Sequence, residues 1–353
     1  MNRCERLISA IGDKADGMLI SSEVNRLYLT GFEFSDGYVL VTKNKSYLIT
    51  DFRYIEAAKS NADNAFEIVT LENNLFEKLF DENKVCRLLF EDTRMSCSAL
   101  EQLKNKHSNI TFIPAGSIIE NLREYKSDVE VEFITKAQRI AEKSLDMLIS
   151  SLDMNMTEKE LTAYLEYLMK KNGADGISFA TIAVSGKASS LPHGVPRNQK
   201  LENGFLTIDF GAVYKGYHSD MTRTFCKGKA DNDMKKVYNT VLEAQTRAID
   251  SIFSGERNCF SIDNTAREHI YLNGFKGCFG HGLGHGVGLE IHEAPRLSPL
   301  ADKNKYLDFG DIVTVEPGIY IENKYGVRIE DMIYIGIDGP KNLTLFEKNL
   351  IEL

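Results

Sequence analysis

The stretch from Gly280 to Pro295 reads Gly-His-Gly-Leu-Gly-His-Gly-Val-Gly-Leu-Glu-Ile-His-Glu-Ala-Pro, with glycine at 280, 282, 284, 286 and 288. Each interior glycine costs a helix about 1 kcal/mol relative to alanine, so glycine at alternate positions predicts that this segment is not helical. It also gathers His281, His285 and His292 in a chain that has only 7 histidines. Outside a helix, His281 and His285 do not make the i, i+4 zinc pair of a His-Glu-x-x-His helix. The pattern predicts an extended segment whose missing side chains let another backbone, a metal or a substrate come close.

At 353 residues the chain is long for one domain, and two are expected. Its 43% apolar and 26% charged residues suit a globular protein with a real core. A net charge of −9 argues against nucleic acid as a partner, because phosphate binding needs a concentrated basic surface. No stretch approaches the ~20 apolar residues of a membrane span, and the charged start Met-Asn-Arg-Cys-Glu-Arg is unlike a signal peptide. The six scattered cysteines, with no Cys-x-x-Cys pair, fit reduced thiols. Together these features predict a cytoplasmic protein that binds no membrane.

Residues 1–123 alternate short strands with short amphipathic helices. Tyr38–Val41 and Tyr47–Ile49 predict a hairpin. Phe66–Leu71 and Val85–Phe90 predict strands, and Phe52–Ser60, Leu75–Phe80 and Ser98–Lys106 predict helices, the first with Asp51 as N-cap. His107, in a Lys-rich polar turn, reads as a solvated surface histidine. The polar stretch Asn121–Lys126 reads as a linker. Ser127-Asp-Val-Glu130 and Thr157-Glu-Lys-Glu160 are capping boxes that open two helices of the second domain, residues 127–353. Two more helices are expected at Met234–Ile252 and Asn264–Leu272.

Two hairpins then carry acids that strands disfavour. Leu206–Val213 and His218–Phe225 flank a turn at Lys215-Gly216, with Asp209 on the first strand and Asp220 on the second, the two acids facing each other. Asp311–Ile321 and Gly326–Ile335 repeat the plan with Glu316 and Glu330. Burying unpaired charges costs several kcal/mol each, and four converging carboxylates repel one another. A pair of divalent cations, with His285 adding a nitrogen ligand, is the simplest compensation. The bland alternative places these acids on exposed hairpin faces.

The combination Thr207-Ile-Asp209-Phe-Gly, Ser219-Asp220-Met-Thr-Arg, Gly280-His-Gly-x-Gly-His285, His292-Glu-Ala-Pro, Val315-Glu316-Pro-Gly-Ile-Tyr320 and Arg328-Ile-Glu330-Asp resembles the dimetal pita-bread peptidases. It looks most like their Xaa-Pro branch, the prolidases and aminopeptidases P. The motifs span residues 176 to 332. The resemblance implies an α/β (α+β) fold: an N-terminal creatinase/prolidase-type domain, then a pita-bread domain with pseudo-twofold repeated hairpins and helices. It implies Asp209, Asp220, His285, Glu316 and Glu330 as ligands of two divalent ions, with Mn²⁺ favoured and Co²⁺ or Zn²⁺ compatible. It also implies a bridging water as nucleophile, Glu316 as its proton acceptor, His292 at the scissile carbonyl and His193 on the leaving-group side. His281 is expected beside the metals or the substrate, with Arg328 and Tyr320 supporting the ligands. Arg296 is placed either as a clamp for a substrate carboxylate or as an ordinary surface arginine. His218 and His269 match no family role and read as structural. The implied substrate is a peptide with proline second, and the implied assembly a homodimer.

Three other readings share the residues. Methionine aminopeptidases have the same fold and similar ligands, but usually lack such a first domain. Creatinase-like hydrolases need no metal, against which all five ligand positions are filled here. A catalytically inactive pita-bread module used for protein binding would typically have lost ligands.

Overall fold

The computed structural model describes residues 1–353, which divide into two compact units, Met1–Arg123 and Glu124–Leu353. The first unit is built on a mixed six-stranded sheet. Its strands run in the spatial order Phe66–Thr70, Ser46–Thr50, Gly37–Thr42, Gly17–Ile20, Arg87–Phe90, Thr111–Pro114. The predicted hairpin forms, with Val39 paired to Leu48; its first strand is antiparallel to Gly17–Ile20 and its second runs parallel to Phe66–Thr70. Asp51 caps the next helix, its carboxylate accepting from the Arg53 amide at 2.9 Å. No helix is long and apolar enough to cross a membrane, and all six cysteines are unpaired.

One expectation for this region fails. His107 is not solvated: it is 3% exposed, with its ring edge-on to Phe80 at 5.3 Å and to Phe76 at 6.2 Å. Its neighbours in sequence are polar, but as the C-cap of the helix Cys97–Lys106 its side chain turns under the fold. The polar stretch at 121–126, expected as the linker, contains the division between the two units, and the helix Ile118–Glu124 runs into it.

The second unit repeats one plan twice. Helices Asp128–Ser150 and Glu158–Lys171 pack on strands Ile182–Ser185, Gly204–Phe210 and Met221–Lys227 through Leu145, Leu161, Leu165, Leu206 and Phe225. Helices Asn232–Phe253 and Cys259–Ile270 pack on strands Ile312–Val315 and Asp331–Gly336 through Val241, Ala248, Ile262, Val313 and Ile333. Both predicted capping boxes close: Glu130 accepts from the Ser127 amide at 2.9 Å, and Glu160 from that of Thr157 at 2.7 Å.

Each of the two expected hairpins is broken in the middle, so that its halves join different sheets. The first pairs Gly204–Phe210 with Met221–Lys227 and then, past Gly211, Ala212–Tyr214 with Tyr217–His218. A Cβ on Gly211 would stand 1.9 Å from the Ser219 carbonyl oxygen, so only glycine allows this crossing. The second pairs Ile312–Val315 with Asp331–Gly336, and Gly318–Ile321 with Tyr325–Arg328. The continuous strands expected over 311–321 and 326–335 therefore do not exist. Pro317, which has no N–H to give a ladder, sits at the first break, and Ile329-Glu330 forms the second.

Candidate metal centre

The glycine-rich segment enters as the short strand Gly284–Gly286, held between Glu293–Leu297 and Ile312–Val315. A Cβ on Gly284 would meet the Thr314 carbonyl oxygen at 1.9 Å, and one on Gly286 the Ala294 carbonyl oxygen at 2.2 Å. The alternating glycines thus let two backbones close in on His285, as their spacing predicts. The imidazole of His285 is buried, and its Nδ1 lies 2.9 Å from the Gly286 carbonyl oxygen. That contact makes Nδ1 the protonated nitrogen and leaves the lone pair on Nε2.

The hairpin breaks aim the acids at that lone pair. Glu316 and Glu330 face each other in the gap between the pairs Val315–Asp331 and Gly318–Arg328. On the first hairpin Asp209 is paired with Thr222. Asp220, just before its strand, faces Gly211 in that register, so the two aspartates are diagonal neighbours and not opposite as expected. His285 Nε2 stands 3.4 Å from Glu316 Oε1 and 3.6 Å from Asp220 Oδ2. Donor atoms of Asp220, His285 and Glu330 all lie within 4.8 Å of one another, and all three residues are buried.

Burial and then mutual repulsion govern the electrostatics. Desolvation, followed by Asp209 and Glu316, raises Asp220 well above the usual carboxylate range, and desolvation followed by Asp220 does the same to Glu330. Glu316 is pushed up to about 8 by burial and by Asp209, against the opposing pull of Arg328. Burial lowers His285 to about 3, so its ring is neutral. Asp209 Oδ1 is buried with no hydrogen-bond partner. An unprotonated nitrogen, crowded carboxylates and an orphaned carboxylate oxygen form a donor set short of positive charge, and divalent cations fit it.

A network surrounds the acids. Arg328 donates to Asp209 Oδ2 at 2.6 Å, to the Tyr320 hydroxyl at 2.8 Å, to Thr222 Oγ1 at 3.1 Å and to the Pro192 carbonyl oxygen at 3.2 Å. Burial pushes the Tyr320 phenol up to about 12. It accepts from Arg328 and therefore donates to His281 Nε2, 3.0 Å away, while His281 Nδ1 faces the Gly282 carbonyl oxygen at 2.8 Å. His281, lowered to about 4 by burial, lies in this network through its contact with Tyr320. The His292 ring meets that of His285 at 4.4 Å, nearly perpendicular.

A cavity of about 740 Å³ opens over these groups, lined by Asp209, Asp220, Glu316, Glu330 and all of His193, His281, His285, His292, Arg296 and Arg328. His193 and Arg296 are exposed along it. His218 is half-buried and lies outside the lining. His269 sits on its helix 3.2 Å from Glu243.

Two threonines have no part in the sequence reading. Thr222 Oγ1 donates to Glu330 Oε2 at 2.7 Å, and Thr314 Oγ1 to Glu316 Oε1 at 3.2 Å. The signal was available, since each threonine stands two residues from an acid and shares its strand face. The buried ion pair Arg267–Asp263 was also missed. It receives the Leu283 amide and donates to the carbonyls of Phe279 and His281, so it fixes the entry to the glycine-rich segment. Its i, i+4 spacing on a helix was the signal.

With this geometry in view, the likeness to known proteins is specific. The profile of metallopeptidase family M24 matches residues 132–336, and that of the creatinase/prolidase N-terminal domain matches residues 3–125. The chain belongs to metallopeptidase family M24. Its sequence is 36% identical to the Xaa-Pro dipeptidase of Pyrococcus furiosus, over 99% of each chain. The structure superposes on an Xaa-Pro dipeptidase from Bacillus anthracis with a TM-score of 0.93 at 39% identity, covering 99% of both chains. It superposes on an X-Pro aminopeptidase from Thermotoga maritima with a TM-score of 0.92 at 35% identity, covering 100% of both. The expected fold, a creatinase/prolidase-type domain followed by a pita-bread domain, is the one these structures share.

Proposed function

We propose that this protein hydrolyses Xaa-Pro peptide bonds, in dipeptides or at the N-terminus of longer peptides, with divalent metal ions held by Asp209, Asp220, His285, Glu316 and Glu330. What carries the proposal is the convergence of the Asp220, His285 and Glu330 donors within 4.8 Å at the floor of the cavity. Full-length similarity to Xaa-Pro dipeptidases supports the substrate class. The oxygen-rich set with one imidazole suits Mn²⁺, with Co²⁺ and Zn²⁺ also accommodated. Bound there, a pair of such ions supplies a water of lowered pKa and a positive clamp for developing negative charge.

The chain's own groups do the rest. Glu316 accepts the proton of the attacking water and passes it toward the leaving nitrogen. His292 donates a hydrogen bond to the scissile carbonyl oxygen as it gains charge. His193 stands on the leaving-group side, where proline has no N–H to offer. Arg296, exposed at the cavity, holds a substrate carboxylate with its planar fork. Arg328 holds the Asp209 carboxylate in its orientation, while Tyr320 and His281 hold Arg328 in place. The protein acts in the cytoplasm as a homodimer, and light scattering checks the latter.

The test uses protein stripped by chelator and reloaded with Mn²⁺, Co²⁺ or Zn²⁺. Proline release from Gly-Pro and Ala-Pro is compared with removal of the first residue from an Xaa-Pro-Xaa peptide. Metal-restored cleavage of either supports the proposal, and the ratio separates dipeptidase from aminopeptidase. Faster cleavage of Met-Ala peptides would replace it with the methionine aminopeptidase reading.

A further inference from the structure

His292 must meet a substrate atom, yet it stands exposed on the six-residue loop between the strands Gly284–Gly286 and Glu293–Leu297. Misplacing a catalytic group by about 1 Å costs on the order of 100-fold in rate, so something must hold this loop. Its backbone is tied by the Val287 amide to the Ile312 carbonyl, by the His218 amide to the Gly288 carbonyl, and by the Gly288 amide to the Glu290 carbonyl. All of these are made by Val287 or Gly288, at the start of the loop. On the far side stands Glu293, the residue after His292. Its Oε1 accepts from the Glu290 amide at 3.0 Å, which closes residues 290–293 into one turn around His292.

The other carboxylate oxygen of Glu293 accepts from Lys126 Nζ at 3.1 Å. The two side chains are 1% and 6% exposed. Lys126 itself is fixed by its amide, which donates to the Gly310 carbonyl at 3.0 Å. The Glu293 carboxylate also fills the space where Gly288 has no side chain, since a Cβ there would lie 2.5 Å from Oε2. A buried ion pair seldom gains stability over a well-packed apolar pair, and losing one partner leaves an uncompensated buried charge. What such a pair does supply is one fixed geometry, and here that geometry is the backbone on both sides of His292.

We infer that the buried Lys126–Glu293 ion pair positions His292 for the reaction, with Glu293 clamping the turn and Lys126 clamping Glu293. The inference rests on the proposed hydrolysis, in which His292 serves the scissile carbonyl. Neither residue lines the cavity, so both are positioning residues and touch no substrate.

The experiment is a kinetic cycle on the full-length, metal-loaded protein with an Xaa-Pro dipeptide. Glu293→Gln keeps the shape and removes the charge; Glu293→Asp keeps the charge and shortens its reach. Each is made alone and on a His292→Ala background, and Lys126→Arg is added as a charge-keeping control. Both Glu293 variants are expected to lower kcat about 10- to 100-fold, with KM within about twofold and bound metal unchanged. On the His292→Ala background the same changes are expected to cost less than about twofold, because the group they position is gone. Lys126→Arg is expected to retain most of the activity. Wild-type kcat in the Glu293 variants, or a loss that repeats in full on the His292→Ala background, overturns the inference. Should Glu293→Gln not fold, Glu293→Asp carries the cycle alone. A wild-type enzyme inert toward every Xaa-Pro peptide would instead overturn the proposed function, a result distinct from either.

Discussion

The two broken hairpins do the same job with different parts. The first carries aspartates offset across its ladder, Asp209 facing Thr222 and Asp220 facing Gly211. The second carries glutamates face to face, in the gap left where its strands change sheet. Neither supports its own acids fully. Thr222 of the first hairpin donates to Glu330 of the second, and Arg328 of the second donates to Asp209 of the first. Repetition supplied two similar carboxylate pairs, but the site exists only because each hairpin braces the other.

Removing an acid should break the arrangement most severely. Glu330→Gln and Asp220→Asn are each expected to lower kcat/KM by on the order of 1,000-fold, about 4 kcal/mol, with a near-native circular dichroism spectrum. An activity within tenfold of wild type would show that the hairpins do not share a metal centre.

Breaking the larger brace comes next. Arg328→Met removes the cation beside Asp209 and frees the Tyr320 hydroxyl, and is expected to cost about 100-fold. Arg328→Lys should recover little, because a point charge cannot span Asp209, Tyr320 and the Pro192 carbonyl together. Full recovery by lysine would reduce the brace to simple charge balance.

How much of this was legible in the sequence depended on whether the cause was local. The acids stood out because strands disfavour them, and the alternating glycines because nothing else lets Thr314 and Ala294 approach so closely. The register offset was within reach too. A two-residue turn at Lys215-Gly216, both with positive φ, pairs Tyr214 with Tyr217 and places Asp209 opposite Thr222. The breaks were harder to see. Pro317 announces one and Gly211 another, but Ile329-Glu330 looks like ordinary strand and is split by the sheets it must join. His107 misled because the phenylalanines that bury it lie more than 20 residues away in the chain. The threonines stood beside acids on their own strands, but that Thr222 serves Glu330, and that Lys126 pairs with Glu293, was hidden for the same reason: these partners are set by the fold, across 108 and 167 residues.

The cost of holding four acids together should appear when the metals are removed. A carboxyl whose folded pKa is raised takes up more protons in the folded state, so its stability contribution is lost as pH rises through the folded value. For Glu316 the window runs from its ordinary 4.5 up to about 8. His285, lowered to about 3, acts in the opposite direction, but only below its ordinary 6.5. Between pH 6.5 and 8 the acids therefore act alone, and chelated protein should lose about 2 kcal/mol as pH rises, at up to ~1.4 kcal/mol per pH unit for one proton. Denaturant midpoints with and without metal test this. A chelated protein equally stable at both pH values would mean that the hairpins separate when the metals leave.

The smallest effect makes the sharpest probe of the cross-bracing. Thr222→Val keeps the side-chain shape and removes one hydroxyl, which donates to Glu330 Oε2 at 2.7 Å and accepts from Arg328 Nε at 3.1 Å. Both charges survive, so metal binding should persist, with kcat about tenfold lower, the usual scale for a support that touches a ligand without being one. Thr222→Ser should restore the rate, since the serine hydroxyl reaches the same two atoms. Combined with Arg328→Met, the valine should cost less than it does alone, because the guanidinium has already released the threonine and only the bond to Glu330 remains to be lost. Full additivity would mean that Thr222 and Arg328 support their acids separately, and that the hairpins are neighbours but not braces.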